Sequence, residues 1–232
     1  MIDVGAILID LDGTLMDTVP DLAEAVNCMR EAMAMPRLPV DRIARFIGKG
    51  ARILVHRALT DDMDGRCTED QLACGMDHFR RHYHRLNGAR TVVYEGIPQA
   101  LAELHAGGLA LACVTNKPRE FTIPLLERLG MLDCFKVVVA GDDVSHPKPH
   151  PALLLTACER LDVVPGHALM IGDSLNDAQA ACAAGMKVVL VETGYNEGES
   201  LEALRRDPTV LTVVPGLLDA ARWVLGNRSL KA

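Results

Sequence analysis

The chain has 232 residues, 49% of them hydrophobic but only 3% aromatic, and a formal net charge of −7 at neutral pH. That length and composition suit one globular protein with a large aliphatic core and room for an inserted subdomain. A mildly acidic chain without a basic block is a poor nucleic-acid binder and is repelled by anionic membranes, so a phosphate ligand would have to be held by local cations.

The seven cysteines, an odd number, form no C-x-x-C pair. Reduced thiols of a cytoplasmic protein are expected rather than a disulfide framework. The N-terminus lacks a basic region followed by a long apolar run, and no stretch of ~18 apolar residues occurs, so neither a signal peptide nor a membrane span is expected.

The apolar run Val4 to Ile9 reads as a short buried strand that ends in Asp10 and Asp12, with Gly13 allowing the chain to turn away. Thr18 is the expected N-cap of a helix carrying Leu22, Val26, Met29 and Met33 at helical spacing and ending near Met35, before Pro36. Helices follow over about 40–47, 51–59 and 69–86, so 16–88 is expected to be helical throughout. Gly48-Lys49-Gly50 forms a flexible corner within this block. From residue 91 the pattern alternates. Strands are expected over 109–114, 137–140, 168–171 and 188–191, separated by helices over 97–105, 119–129, 152–161 and 176–184. A weaker extended patch at 210–214 and a helix from Leu217 close the chain.

Strands alternating with helices imply an α/β fold, a Rossmann-like parallel sheet with helices on both faces. The expected organisation is a catalytic core of residues 1–15 and 89–232 with a helical cap, 16–88, inserted after the first strand. Such an insertion would lie over the carboxyl ends of the strands, the position of a lid.

Polar groups gather at those strand ends: Asp10, Asp12, Thr115, Asn116, Lys148, Asp173 and Asp177. Each has a use at a phosphate. Asp10 can be a nucleophile, and Asp12 can protonate a leaving oxygen and then activate water. Mg²⁺ takes one or two carboxylates and keeps several waters, and Asp10 and Asp173 can supply them. Thr115 can donate to a phosphoryl oxygen. Lys148 can neutralise developing charge and keep Asp10 ionised. Asp177 can orient metal-bound water or Lys148, or simply favour the first turn of its helix.

Asp10-Leu11-Asp12-Gly13-Thr14, Thr115-Asn116, Lys148-Pro149 and Gly172-Asp173-Ser174-Leu175-Asn176-Asp177 resemble, in order and spacing, the four motifs of haloacid dehalogenase-like hydrolases. The resemblance spans nearly the whole chain. It implies a small inserted cap, Mg²⁺, an aspartyl-phosphate at Asp10, and the Asp12 backbone carbonyl as a further metal contact. Dehalogenases of the family lack an acid at the position of Asp12, so its presence favours phosphoryl transfer. In the cap, Phe46 to Arg52 and Arg57-Ala58-Leu59, with Gly141-Asp142-Asp143 and Lys148 to Pro151, look like the phosphoglycolate phosphatase subgroup.

The expected activity is hydrolysis of a small phosphorylated metabolite, 2-phosphoglycolate first, by a monomer or homodimer. The alternatives are a sugar or amino-sugar phosphatase, a phosphomutase or phosphonoacetaldehyde hydrolase, or a phosphometabolite-binding protein without turnover. Thr115, Asn116 and Lys148 are the expected substrate contacts in the core, and Lys49 and Arg52 are candidates for a substrate carboxylate. Lys49 could equally be a solvated loop cation; a Schiff-base lysine is a third reading, which the phosphoglycolate phosphatase-like surroundings disfavour. The run His78 to Arg85 contains His78 and His82 at ligand spacing, but without a completing acid or cysteine it reads as a solvated basic face.

Overall fold

The computed structural model describes residues 1–229; the last three residues of the expected core span, 89–232, lie outside the described residues. Strand β1 (Ala6–Ile9) and the two-residue β2 (Met16–Asp17) lead into helices α1 (Val19–Ala32), α2 (Val40–Ala44), α3 (Gly50–Thr60) and α4 (Glu69–Leu86). The chain returns through β3 (Val92–Val93) and then alternates: α5 (Ile97–Ala106), β4 (Ala110–Val114), α6 (Arg119–Arg128), β5 (Val137–Val139), α7 (Ala152–Leu161), β6 (Ala168–Gly172), α8 (Leu175–Ala183), β7 (Lys187–Val191), β8 (Val210–Val214) and α9 (Leu217–Asn227).

The main sheet is parallel and six-stranded, in the order β5-β4-β1-β6-β7-β8. β1 is completely buried between β4 and β6, with Ile9 level with Cys113 and Ile171. Successive side chains of a strand point to opposite faces, so each strand serves two cores. Ile7 and Ile9 join Leu111, Ile171 and Val189 under α5 and α9, whereas Ala6 and Leu8 join Ala112, Met170 and Val188 under α7 and α8. The strand order turns in opposite directions from β1, so the carboxyl end of β1 is the switch point where an open α/β sheet receives its ligand.

The helices α1 to α4 bury a third core of their own, including Val26, Met29, Phe46, Leu54, Phe79 and Tyr83, together with Phe121 from α6. Three expectations about this region fail. Residues 16–88 are not helical throughout: Met16 and Asp17 form β2, antiparallel to Val92 and Val93. A two-residue strand has no period to read, and it exists because Gly13, at φ +86°, turns the chain back after Asp12. Helix α1 stops at Ala32 instead of Met35, because Ala34 enters the left-handed region (φ 56°) and Met35 N donates back to Arg30 O. Similarly, α2 ends at Ala44, short of Ile47.

The two crossings between sheet and helices are tied by one buried acid. Asp21, with no solvent exposure, accepts from Gly88 N (3.0 Å), Arg90 N (2.9 Å), Thr91 N (3.0 Å) and Thr91 Oγ1 (2.7 Å). Asp21→Ala strands those donors and is expected to cost about 3 kcal/mol by urea unfolding. Unchanged stability would show that water replaces the carboxylate there.

Candidate active site

Asp10 follows β1 directly, and its backbone N donates to Ile171 O (3.0 Å). Its Oδ1 accepts from Leu11 N (2.7 Å) and pairs with Lys148 Nζ (3.0 Å). Oδ2 carries no hydrogen bond among the described residues. Lys148, 2% exposed, also pairs with Asp177 Oδ1 (2.7 Å) and donates to Val114 O (3.0 Å). Burial disfavours its charge, but Asp10 and Asp177 hold it protonated above the usual lysine range. Asp177 is fully buried and divided between two tasks: Oδ1 takes Lys148, while Oδ2 accepts from Ser174 N (3.1 Å) and Oγ (2.7 Å) as a reciprocal cap of α8.

Asp173 stands opposite. Its Oδ1 accepts from Thr14 Oγ1 (2.8 Å) and its Oδ2 from Tyr195 N (3.1 Å). Burial and the charges of Asp177 and Asp10 push its carboxyl well above the usual range, and burial pushes Asp10 up to about 7 against the pull of Lys148. Asp10, Asp173 and Asp177 offer oxygens within 4.8 Å of one another. Three carboxylates thus share one ammonium, a surplus of negative charge that a hard cation would relieve. Both Asp177 oxygens are taken, so Asp10 and Asp173 are the fitting ligands. The chain makes room for Asp173: a Cβ at Gly194 would lie 1.8 Å from its Oδ2.

Asp12, partly exposed, accepts at Oδ1 from Thr18 Oγ1 (2.7 Å) and Lys117 Nζ (2.8 Å), and Lys117 also reaches Oδ2 (3.1 Å). Thr18 does occupy the N-cap position, but its hydroxyl is spent on Asp12 and makes no cap hydrogen bond. Thr115, 1% exposed at the end of β4, accepts from Lys117 N (3.2 Å) at Oγ1 and keeps its own proton to donate. The Asn116 side chain is a brace: it donates to Gly48 O (2.8 Å) and Lys148 O (2.8 Å) and accepts from Lys148 N (2.8 Å).

The cap cations sit elsewhere. Lys49 Nζ pairs with Glu197 (3.2 Å), and Arg52 pairs with Glu69 (2.8 Å) on an exposed face; neither lines the pocket above Asp10 and Asp12. In the basic run, Arg80 and His84 meet Glu120 (3.1 and 3.0 Å), Arg81 pairs with Asp77, and His82 Nδ1 contacts Arg85. Among the described residues the three aspartates are the one cluster with metal-binding spacing.

Sequence reasoning assigned no role to Lys117. It is 5% exposed, held on Asp12 and stacked over the Tyr83 ring (5.1 Å to the centroid). A lysine trailing a buried strand was the available signal, because such a charge needs a carboxylate. Glu197 was also passed over. It joins Lys49 and the buried Arg57 (2.8 Å), so the loop after β7 grips the helical block.

A parallel sheet of this order, with Asp-x-Asp after its first strand and a lysine clamped between carboxylates, defines the haloacid dehalogenase-like hydrolases. The model of that family matches residues 7–191, and the chain belongs to it. A phosphoglycolate phosphatase of Nitrosospira multiformis is 46% identical over 221 residues, 95% of this chain and 96% of that one. That of Escherichia coli is 38% identical over 221 residues, 88% of each. A crystal structure described as a predicted phosphoglycolate phosphatase, from Haemophilus somnus 129pt, superposes with a TM-score of 0.88 at 30% identity, over 97% of this chain and 99% of that one.

Lys148→Met leaves two buried carboxylates facing each other and is expected to cost about 3 kcal/mol. Adding Asp177→Asn should recover part of that loss, because the pair is coupled. Urea midpoints of the single and double variants would decide, and additive losses would contradict the clamp.

Proposed function

We propose that the protein is a Mg²⁺-dependent, cytoplasmic phosphatase of small phosphomonoesters, with 2-phosphoglycolate as its preferred substrate. The observation that carries this is Asp12, an acid beside the nucleophile, engaged with Lys117 and Thr18 and free of the Lys148 clamp. The names of the relatives support the substrate, and the seven free thiols support a reducing compartment. Among the described residues no helix is long and apolar enough to cross a membrane.

In this reading Asp10 Oδ2 attacks phosphorus, forming an acyl phosphate as the ester P–O bond breaks. Asp12 gives its proton to the departing alkoxide, then takes one from the water that hydrolyses the acyl phosphate. Lys148 holds Asp10 in place and offsets phosphoryl charge, and the Thr115 hydroxyl donates to a phosphoryl oxygen. Asp10, Asp173 and the Asp12 carbonyl would hold Mg²⁺, which when bound draws charge from the phosphoryl oxygens. Residues 16–88 act as a cap on the core of 1–15 and 89–232, closing to exclude water.

Phosphate release from 2-phosphoglycolate and a panel of sugar phosphates is the test. Release should require Mg²⁺, vanish with a chelator and be abolished in Asp10→Asn; retained turnover by that variant would sink the nucleophile assignment. Asp12→Asn should lower kcat about 100-fold or more while Mg²⁺ affinity, read by calorimetry, changes little. A panel preference for a sugar phosphate would leave the phosphorus chemistry standing and overturn the substrate.

A further inference from the structure

The pocket above Asp10 and Asp12 is walled by apolar side chains from both layers, including Leu22, Ile47, Leu54 and Phe121. Within that wall Lys117 is the one cationic side chain among the described residues. Tyr83, on α4, is 1% exposed, and its hydroxyl has no hydrogen-bond partner among the described residues. An unpartnered buried hydroxyl costs about 1–3 kcal/mol, so a ligand that accepts from it recovers that loss. The ring is fixed by stacking on Phe79 (5.3 Å between centroids) and by an edge contact to Phe121 (4.8 Å). Burial pushes the phenol up to about 12, which keeps it a neutral donor.

We infer that Lys117 and the Tyr83 hydroxyl form the receptor for a carboxylate on the leaving group, a role that neither Lys49 nor Arg52 is placed to fill. The inference rests on the phosphatase reading above and specifies how that site chooses its ester. Lys117 Nζ lies 2.8 Å from Asp12 Oδ1, so it stands beside the group that protonates the ester oxygen. In 2-phosphoglycolate one carbon separates that oxygen from the carboxylate carbon, so the cation serving Asp12 is also in reach of the carboxylate. Lys117 is the one cation in the pocket wall among the described residues, so a second anion entering there has this ammonium to approach. A neutral or bulky alcohol leaving group would leave the Tyr83 hydroxyl unpaired, which is how a polar site rejects an analogue.

The test compares kcat/KM for 2-phosphoglycolate and for ethyl phosphate, the ester with a methyl group in place of the carboxylate, in the wild type, Tyr83→Phe and Lys117→Met. The wild type should prefer 2-phosphoglycolate. Tyr83→Phe should lower that preference about tenfold, chiefly through KM, and Lys117→Met should lower it further. Tyr83→Phe removes an orphan hydroxyl, so its thermal midpoint should not fall, which separates recognition from folding. Equal losses on both esters would reduce the pair to supports of Asp12 and the pocket, and overturn the inference. So would an unchanged preference, or a wild type that favours ethyl phosphate, each leaving the phosphatase reading intact. A wild type that hydrolyses neither ester with Mg²⁺ would overturn both.

Discussion

One buried ammonium organises the catalytic end of the sheet. Lys148 lies between Asp10, at the end of β1, and Asp177, in the first turn of α8, and it also binds the last carbonyl of β4. Two carboxylates at this depth would repel each other, and the ammonium between them offsets that repulsion. The clamp depends on its own supports. Asn116 grips the Lys148 backbone at N and O, and Gly172 lets Asp177 approach β6, since a Cβ there would lie 2.3 Å from its Cγ. The charge balance around Asp10 is therefore set by β1, β4, β6, α8 and the Lys148 loop together.

Around this centre the two acids after β1 have different environments. Asp10 faces Lys148 and the other carboxylates in the depth of the sheet. Asp12, past the end of the strand, faces Lys117, Thr18 and the helical layer. One residue of separation thus puts Asp10 against the buried ammonium and Asp12 against the pocket and the helical layer.

The strands carrying the site were legible because parallel strands buried on both faces must be apolar throughout. Their polar ends then stand out, as at Ile9-Asp10 and Gly172-Asp173. Helix α4 matched to the residue, since its long amphipathic period starts at a capping box formed by Thr68 and Gln71. Elements without a period were not legible, and β2 and β3 hold only two residues each. Nor were pairings between distant segments: Lys117 is 105 residues from Asp12, and Glu197 is 140 from Arg57. Local pattern shows that a buried charge needs a partner without naming it. Lys49 and Arg52, candidates for a substrate carboxylate on sequence grounds, pair with acids of the protein, Glu197 and Glu69, which local pattern likewise could not name.

The pairing of β2 with β3 means that the chain leaves the sheet layer and re-enters it side by side, with Asp21 fastening the seam. A segment whose two ends are neighbours can be lengthened, exchanged or lost without rethreading the strands. The phosphorus chemistry rests on the sheet, while Tyr83 and most of the pocket wall ride on the segment. Divergence can therefore act on the two separately: a lineage can acquire a new ester by rewriting the helices while Asp10, Lys148 and Asp173 stay where they are.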